Sequence, residues 1–193
     1  MSDRPGTVLT VASFDGVRVE ITKGDITAQP DLDAIVNAAN ASLAPGAGVA
    51  GAIHRAAGPG LAEECRPLAP IGHGECVITS GQRLENPYVI HCLGPVYGVD
   101  DDPSDRLSSC YRWALDLAES RQLRSIGFPA ISTGVFGYPL DAAADVAIAT
   151  IASAAPLLSH VRLVRLVLFD DAAYSAFARA LRKSEHDHLD ERD

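Results

Sequence analysis

The stretch Asp33-Ala34-Ile35-Val36-Asn37-Ala38-Ala39-Asn40 is an apolar strand that delivers two asparagine amides, Asn37 and Asn40, to its end. A glycine-rich turn, Gly46-Ala47-Gly48-Val49-Ala50-Gly51, follows and opens into the helical run Ala52-Ile53-His54-Arg55-Ala56-Ala57-Gly58. Bare backbone at the start of a helix offers unpaired N–H groups and the positive end of an aligned dipole, which together suit a phosphate. An asparagine amide both donates to and accepts from sugar hydroxyls. The combination points to a nucleotide or nucleotide-sugar pocket.

The rest of the chain alternates between strand and helix patterns. Strands are expected at Val8–Phe14, Val17–Thr22, Ala34–Ala39, Glu75–Thr79, Tyr88–Cys92, Ser125–Ile131 and Leu163–Phe169, with Asp15-Gly16 as a hairpin turn between the first two. Helices are expected at Gly48–Ala57, Leu61–Pro67, Ser104–Arg121, Leu140–Ala154 and Ala172–Arg182. This order predicts an α/β fold, a three-layer α/β/α sandwich with a mixed, mostly parallel central sheet. Ligands of such sheets sit outside the carboxyl ends of the strands, where Asn37 and Asn40, Ser132-Thr133-Gly134 and Phe169-Asp170 fall. One domain over residues 1–183 is expected, followed by an acidic, frayed tail over 184–193.

A net charge of −9 opposes broad, charge-driven nucleic-acid binding, which needs clustered Lys and Arg. No apolar run approaches the roughly 20 residues that cross a bilayer. Met1–Gly6 lacks the layout of a secretion signal, so a cytoplasmic location is expected, with no membrane partner. Cys65, Cys76, Cys92 and Cys110 have no zinc-like spacing and are expected to be free thiols. No motif calls for a metal, and no cofactor is expected.

A second glycine loop, Ser132-Thr133-Gly134-Val135-Phe136-Gly137, again offers backbone amides to an anion, and with the first it could grip a diphosphate from both sides. The alternative is an ordinary strand-to-helix connection. Asp25, in Lys23-Gly24-Asp25-Ile26-Thr27, is placed either to accept from the exocyclic amine of adenine or to cap a turn. Phe169 is placed to stack on a base or ribose, or to fill the core.

Five ordered segments resemble the macrodomains, modules that bind ADP-ribose: Gly24–Thr27, Ala34–Asn40, Gly46–Gly58, Val89–Pro95 and Phe128–Gly137. The likeness runs from about residue 18 to 182. The segment Gly51-Ala52-Ile53-His54-Arg55-Ala56-Ala57-Gly58 resembles the subgroup that removes ADP-ribose from acidic side chains and deacetylates O-acetyl-ADP-ribose. The resemblance implies that Asp25 and the Ile26 amide bind adenine, with Phe169 near the adenine or its ribose. It implies that Asn40 holds the distal ribose and that the amides of Gly48, Val49 and Ser132 through Phe136 cradle the diphosphate. Asn37 and Ala50 join the expected ligand-binding set, and Asn40 and His54 are the expected catalytic residues. The expected partner is ADP-ribose or an ADP-ribosylated protein.

One departure stands out. The hydrolytic subgroup that this chain resembles usually carries an aspartate where Ala50 stands, one helical turn from His54, although some members with alanine there still hydrolyse protein-linked ADP-ribose. The aspartate carboxylate would orient or deprotonate a water, and loss of a general base typically costs about 100- to 10,000-fold in rate. Two expectations stay open: a hydrolase in which the substrate's phosphate positions the water, or a reader that binds without turnover. His54 itself could be a capping or surface histidine. A dinucleotide-dependent oxidoreductase is the remote alternative. Gly46–Gly51 matches GxGxxG literally, but the strand ends near Ala39 and no strand with a terminal acid follows the helix. His91 and Cys92 are adjacent on a strand and face opposite ways, so they cannot act as a pair.

Overall fold

The computed structural model describes residues 8–190. Seven strands, β1 (Val8–Phe14), β2 (Val17–Lys23), β3 (Ala34–Ala38), β4 (Cys76–Ser80), β5 (Tyr88–Cys92), β6 (Ser125–Phe128) and β7 (Leu163–Leu168), form one sheet in the order β1-β2-β7-β6-β3-β5-β4. The five inner strands are parallel, and β1 and β4 pair antiparallel at the two edges. Asp15 and Gly16 both take positive φ, 45° and 84°, as the tight turn of the β1–β2 hairpin requires.

Helices α1 (Gly48–Ala57) and α2 (Pro59–Cys65) cover one face, and α3 (Pro103–Ser120), α4 (Leu140–Ala154) and α5 (Asp171–Asp190) cover the other. β3 shows why both faces need cover. Ala34 and Val36 enter the core beneath α3–α5, whereas Ile35 enters the smaller core beneath α1 and α2. The stretch Leu140–Leu157, α4 and the turn after it, has a mean hydropathy of 1.4 over 18 residues. It is therefore more apolar than the sequence reading allowed, and it packs as a core helix beside α3 and α5.

Two expectations need correction. The last helix does not end near Arg182 but continues through Asp190. There the His188 ring meets Phe14 edge-on at 5.6 Å, with its Nε2 3.6 Å from the Asp15 carboxylate, so this polar turn rests on the hairpin. Residues 191–193 of the expected tail and Met1–Gly6 lie outside the described residues. Nor are all four cysteines free. Cys76 and Cys92 sit directly opposite each other on β4 and β5 and are joined as a disulfide, whereas Cys65 and Cys110 are free and buried. Burial pushes the Cys65 thiol up to about 11 and that of Cys110 up to about 12, so neither is a ready nucleophile.

Two polar groups are built into this interior. Arg165 on β7 donates from Nε to Glu20 on the neighbouring β2 at 2.8 Å, and its Nη atoms grip both oxygens of Asp31 at 2.9 Å. Beneath α1, Asn37 on β3 donates to His91 Nδ1 on β5 at 3.1 Å, while His91 Nε2 meets Thr79 Oγ1 at 2.9 Å and Cys65 Sγ at 3.6 Å. The His54 ring lies 6.4 Å from that of His91.

Arg165→Met leaves Glu20 buried with only the half-exposed Arg18 as partner, so it should cost about 3 kcal/mol in denaturant unfolding; no loss would show the ion pair to be dispensable. The histidines give a pH signature. Burial, reinforced by the charge of His54, pushes His91 down to about 4, and burial also lowers His54. Unfolded histidine titrates near 6.5, so the unfolded chain binds protons first as pH falls. The stability held in neutral His91 is complete above about pH 6.5 and lost as pH drops toward 4. Between about pH 7.5 and 4.5, wild type should therefore lose about 2–3 kcal/mol more than His91→Gln. Equal losses would contradict the burial argument.

Candidate functional site

The carboxyl ends of β2, β7, β6, β3 and β5 lie side by side in that order. At about 4.8 Å per strand they make an edge roughly 19 Å long. Along it follow Asp25 and Ile26, then Phe169, then the loop after β6, then Asn40 with the first glycine loop, and last Gly94 after β5. A cavity of about 310 Å³ opens between the two glycine loops. Of the expected site residues, Asn40, Gly48, Val49, Ala50, Ser132, Gly134, Val135 and Phe136 line it.

The first loop is held by Asn40. Its Oδ1 accepts from the Ala44 amide at 3.0 Å and from Ser42 Oγ at 2.9 Å, while its Nδ2 donates to the Ala44 carbonyl at 2.9 Å. The side chain thus builds the loop as well as lining the cavity. A Cβ on Gly46 would stand 3.4 Å from Asn40 Nδ2 and 3.7 Å from Ala50 Cβ, so these three positions converge. A Cβ on Gly51 would lie 2.3 Å from the Gly46 carbonyl oxygen, a backbone atom that cannot give way. α1 therefore starts hard against the loop. Ala47 caps it without a side-chain hydrogen bond, and its first turn holds no acidic residue. The first amides of α1 have no partner inside the helix and are available to an anion.

The second loop approaches from β6. Ser132 takes φ 66°, a left-handed conformation costly for a residue with a Cβ, and its buried Oγ has no hydrogen-bond partner. The loop is closed by Tyr138 N–H to Ser132 O at 2.9 Å and Gly137 N–H to Gly134 O at 3.0 Å. Among the described residues, the amides of Gly134, Val135 and Phe136 donate to no backbone carbonyl outside the regular elements. A Cβ on Gly94 would fall 2.1 Å from Ser132 Oγ and 2.6 Å from Ile131 Cγ2. Only a bare Cα lets the ends of β5 and β6 close on the cavity this tightly. Val135, 97% exposed, stands at the rim.

Other expected residues fall elsewhere. Asn37 is fully buried and turned toward His91, because β3 alternates faces and position 37 points beneath α1. His54 lies one turn deeper than Ala50, buried next to His91 with neither ring nitrogen hydrogen-bonded, and does not line the cavity. It is therefore not a surface histidine, and it stands behind the lining of the cavity rather than in it. Thr133 turns back to donate to Ala130 O at 2.8 Å, making it a loop brace. Asp25, Ile26 and Phe169 lie outside the cavity, at the open end of the same edge. Gly24 N–H donates to Leu168 O at 2.9 Å, which sets the exposed Phe169 beside the Asp25 turn. Asp25 also caps that turn, its Oδ1 accepting from Thr27 N and Oγ1 at 2.8 and 2.7 Å.

The lining adds Ala38, Ala39, Gly46, Ala47, Gly94, Ala130 and Ile131. Gly94 was legible as the glycine ending the β5 motif, Ala38 and Ala39 as the small residues between the asparagines, and Ala47 and Ala130 only as parts of the segments Gly46–Gly58 and Phe128–Gly137. Among the described residues, no titratable side chain lines the cavity. An anion there is met by backbone dipoles, and nothing in the lining can act as a general base. A wider depression of about 780 Å³ runs along α3, from Asp105 to Leu117. Its lining comes from a single helix and includes no loop.

The family model for the macro domain matches residues 36–147. A macro domain-containing protein of Lactiplantibacillus plantarum is 46% identical over 167 residues, covering 86% of this chain and 96% of that protein. A Salmonella gallinarum protein named O-acetyl-ADP-ribose deacetylase is 45% identical over 176 residues, 88% of this chain and 97% of its own. Among solved structures, the Oceanobacillus iheyensis macrodomain with ADP superposes with a TM-score of 0.85 at 38% identity, covering 95% of this chain and 97% of that one. The Trypanosoma brucei macrodomain in complex with ADP-ribose gives 0.78 at 39%, covering 84% and 68%. The chain belongs to the macro domain family.

Proposed function

We propose that the protein binds ADP-ribose along the carboxyl edge of its sheet and hydrolyses esters at the distal ribose, in O-acetyl-ADP-ribose or ADP-ribosylated Asp and Glu. The observation that carries the reading is the pair of facing glycine loops, whose free amides converge on one cavity with Asn40 beside them. Such a cavity takes a diphosphate without a cationic side chain, through helix dipole and backbone N–H groups. Asp25 with Phe169 at one end receives adenine, and Asn40 at the other orients the distal ribose. The relative named as a deacetylase supports the choice of ester.

The reaction requires little from the chain's own acids and bases. A water oxygen attacks the ester carbonyl carbon, the bond from that carbon to the ribose oxygen breaks, and the released ribose oxygen takes the proton that the water gives up. With no titratable group in the lining, the substrate's own phosphate holds the attacking water, and Asn40 and Phe136 set the ribose against it. Ala50 favours a second reading, a reader that binds without turnover, because the position facing Asn40 carries a methyl group.

A time course of ADP-ribose release from Glu-linked mono-ADP-ribosylated protein, with substrate in excess, separates the two. Multiple turnovers are expected, sharply reduced in Asn40→Ala. Ala50→Asp, which supplies a base beside the ribose, is expected to raise the rate about 10- to 100-fold. No release by a protein that still binds ADP-ribose would establish the reader.

A further inference from the structure

At the base end of the edge, a buried side chain holds the Asp25 turn from behind. Gln29 is 1% exposed. Its Nε2 donates to the backbone carbonyl of Asp25 at 3.0 Å, and its Oε1 accepts from Arg165 Nη1 at 3.1 Å. The backbone carbonyl of Gln29 in turn accepts from Asn86 Nδ2 at 2.7 Å. Arg165 is itself fixed by Glu20 and Asp31. A chain of hydrogen bonds thus runs from the sheet interior, Glu20 to Arg165 to Gln29, and ends on Asp25.

The remaining freedom of Asp25 is restricted from the front. Thr27 N and Oγ1 both donate to Oδ1, which leaves the second carboxylate oxygen of this exposed residue open to a ligand. Ile26 beside it is buried, and Gly127 admits it: a Cβ there would stand 3.4 Å from Ile26 Cδ1 and 2.6 Å from Leu32 Cδ1. An exposed carboxylate discriminates between ligands only if its direction is set before the ligand arrives. Otherwise the ordering cost offsets the bond it makes.

We infer that Gln29, held by Arg165, is a positioning residue for base selectivity: it fixes the Asp25 turn so that the carboxylate accepts from an exocyclic amine and rejects a carbonyl oxygen at the same place. The inference rests on the proposed reading of Asp25 as the adenine contact. Gln29 touches no ligand atom and acts only through the turn.

The test compares calorimetric affinities for ADP-ribose and for the analogue with hypoxanthine in place of adenine. Wild type should prefer ADP-ribose by about 10- to 100-fold, the worth of one hydrogen bond to a charged acceptor. Gln29→Met removes both bonds. Gln29→Glu keeps acceptance from Arg165 and sets an anion against the Asp25 carbonyl, and it is the variant to read where Gln29→Met does not fold. Either should bring the preference toward unity while binding of inorganic pyrophosphate, which reports only on the glycine loops, stays unchanged. A wild type without preference would overturn the adenine contact itself. A wild type with preference and folded variants that keep it would overturn the role of Gln29. Equal weakening for both nucleotides and for pyrophosphate would show general loosening of the fold and overturn it as well.

Discussion

The site depends on a contact that only a residue without a side chain can make. Gly94 brings the end of β5 against Ser132, with no room for a Cβ between them. Ser132 accepts a left-handed backbone there, and the loop that follows lines the cavity across from the start of α1. On the other side, Gly51 does the same for the start of α1 against Gly46. Two close approaches thus bring two sets of N–H groups to one cavity, and the parallel strands behind them keep those approaches rigid. Strain at Ser132 and an uncapped helix start are tolerable because packing on both faces of the sheet over-determines them.

The acidic balance of the chain and the chemistry of the cavity are compatible for the same reason. Backbone dipoles carry the attraction for an anion, so no cluster of Lys or Arg is needed, and a net charge of −9 does not preclude a phosphate ligand. The absence of a titratable side chain in the lining then constrains any chemistry performed there. In the proposed reading, binding is a property of the backbone, and turnover would draw on the substrate and on the geometry that Asn40 imposes.

Much of this was legible in the sequence, for identifiable reasons. Buried strands such as Tyr88–Cys92 and helices such as Gly48–Ala57 and Leu140–Ala154 have the observed bounds, because hydrophobic runs and glycine or proline stops mark them locally. The two loops were legible because glycine density at a strand end has few other uses. What sequence spacing could not give was the direction of side chains. Asn37 and Asn40 look equivalent in the run, yet alternation along β3 sends Asn37 into the interior to His91. His54 shares a helix face with Ala50 by spacing, but one turn of rise carries it beneath the cavity. The partnership of Gln29 with Arg165, 136 residues apart, and the pairing of Cys76 with Cys92 across two strands are tertiary facts with no local signal. The helix expected at Ala172–Arg182 is there, but its extension to Asp190 was not legible, because that polar end reads as solvated until the β1–β2 hairpin is seen beside it.

The most direct measurement is a titration of the backbone amide resonances with ADP-ribose and, separately, with adenosine. If the facing loops grip a diphosphate, the amides of Gly48, Val49, Gly134, Val135 and Phe136 shift together with ADP-ribose and stay put with adenosine, which moves only the Asp25 turn. Saturable binding of ADP-ribose that leaves both loops unshifted would contradict the account.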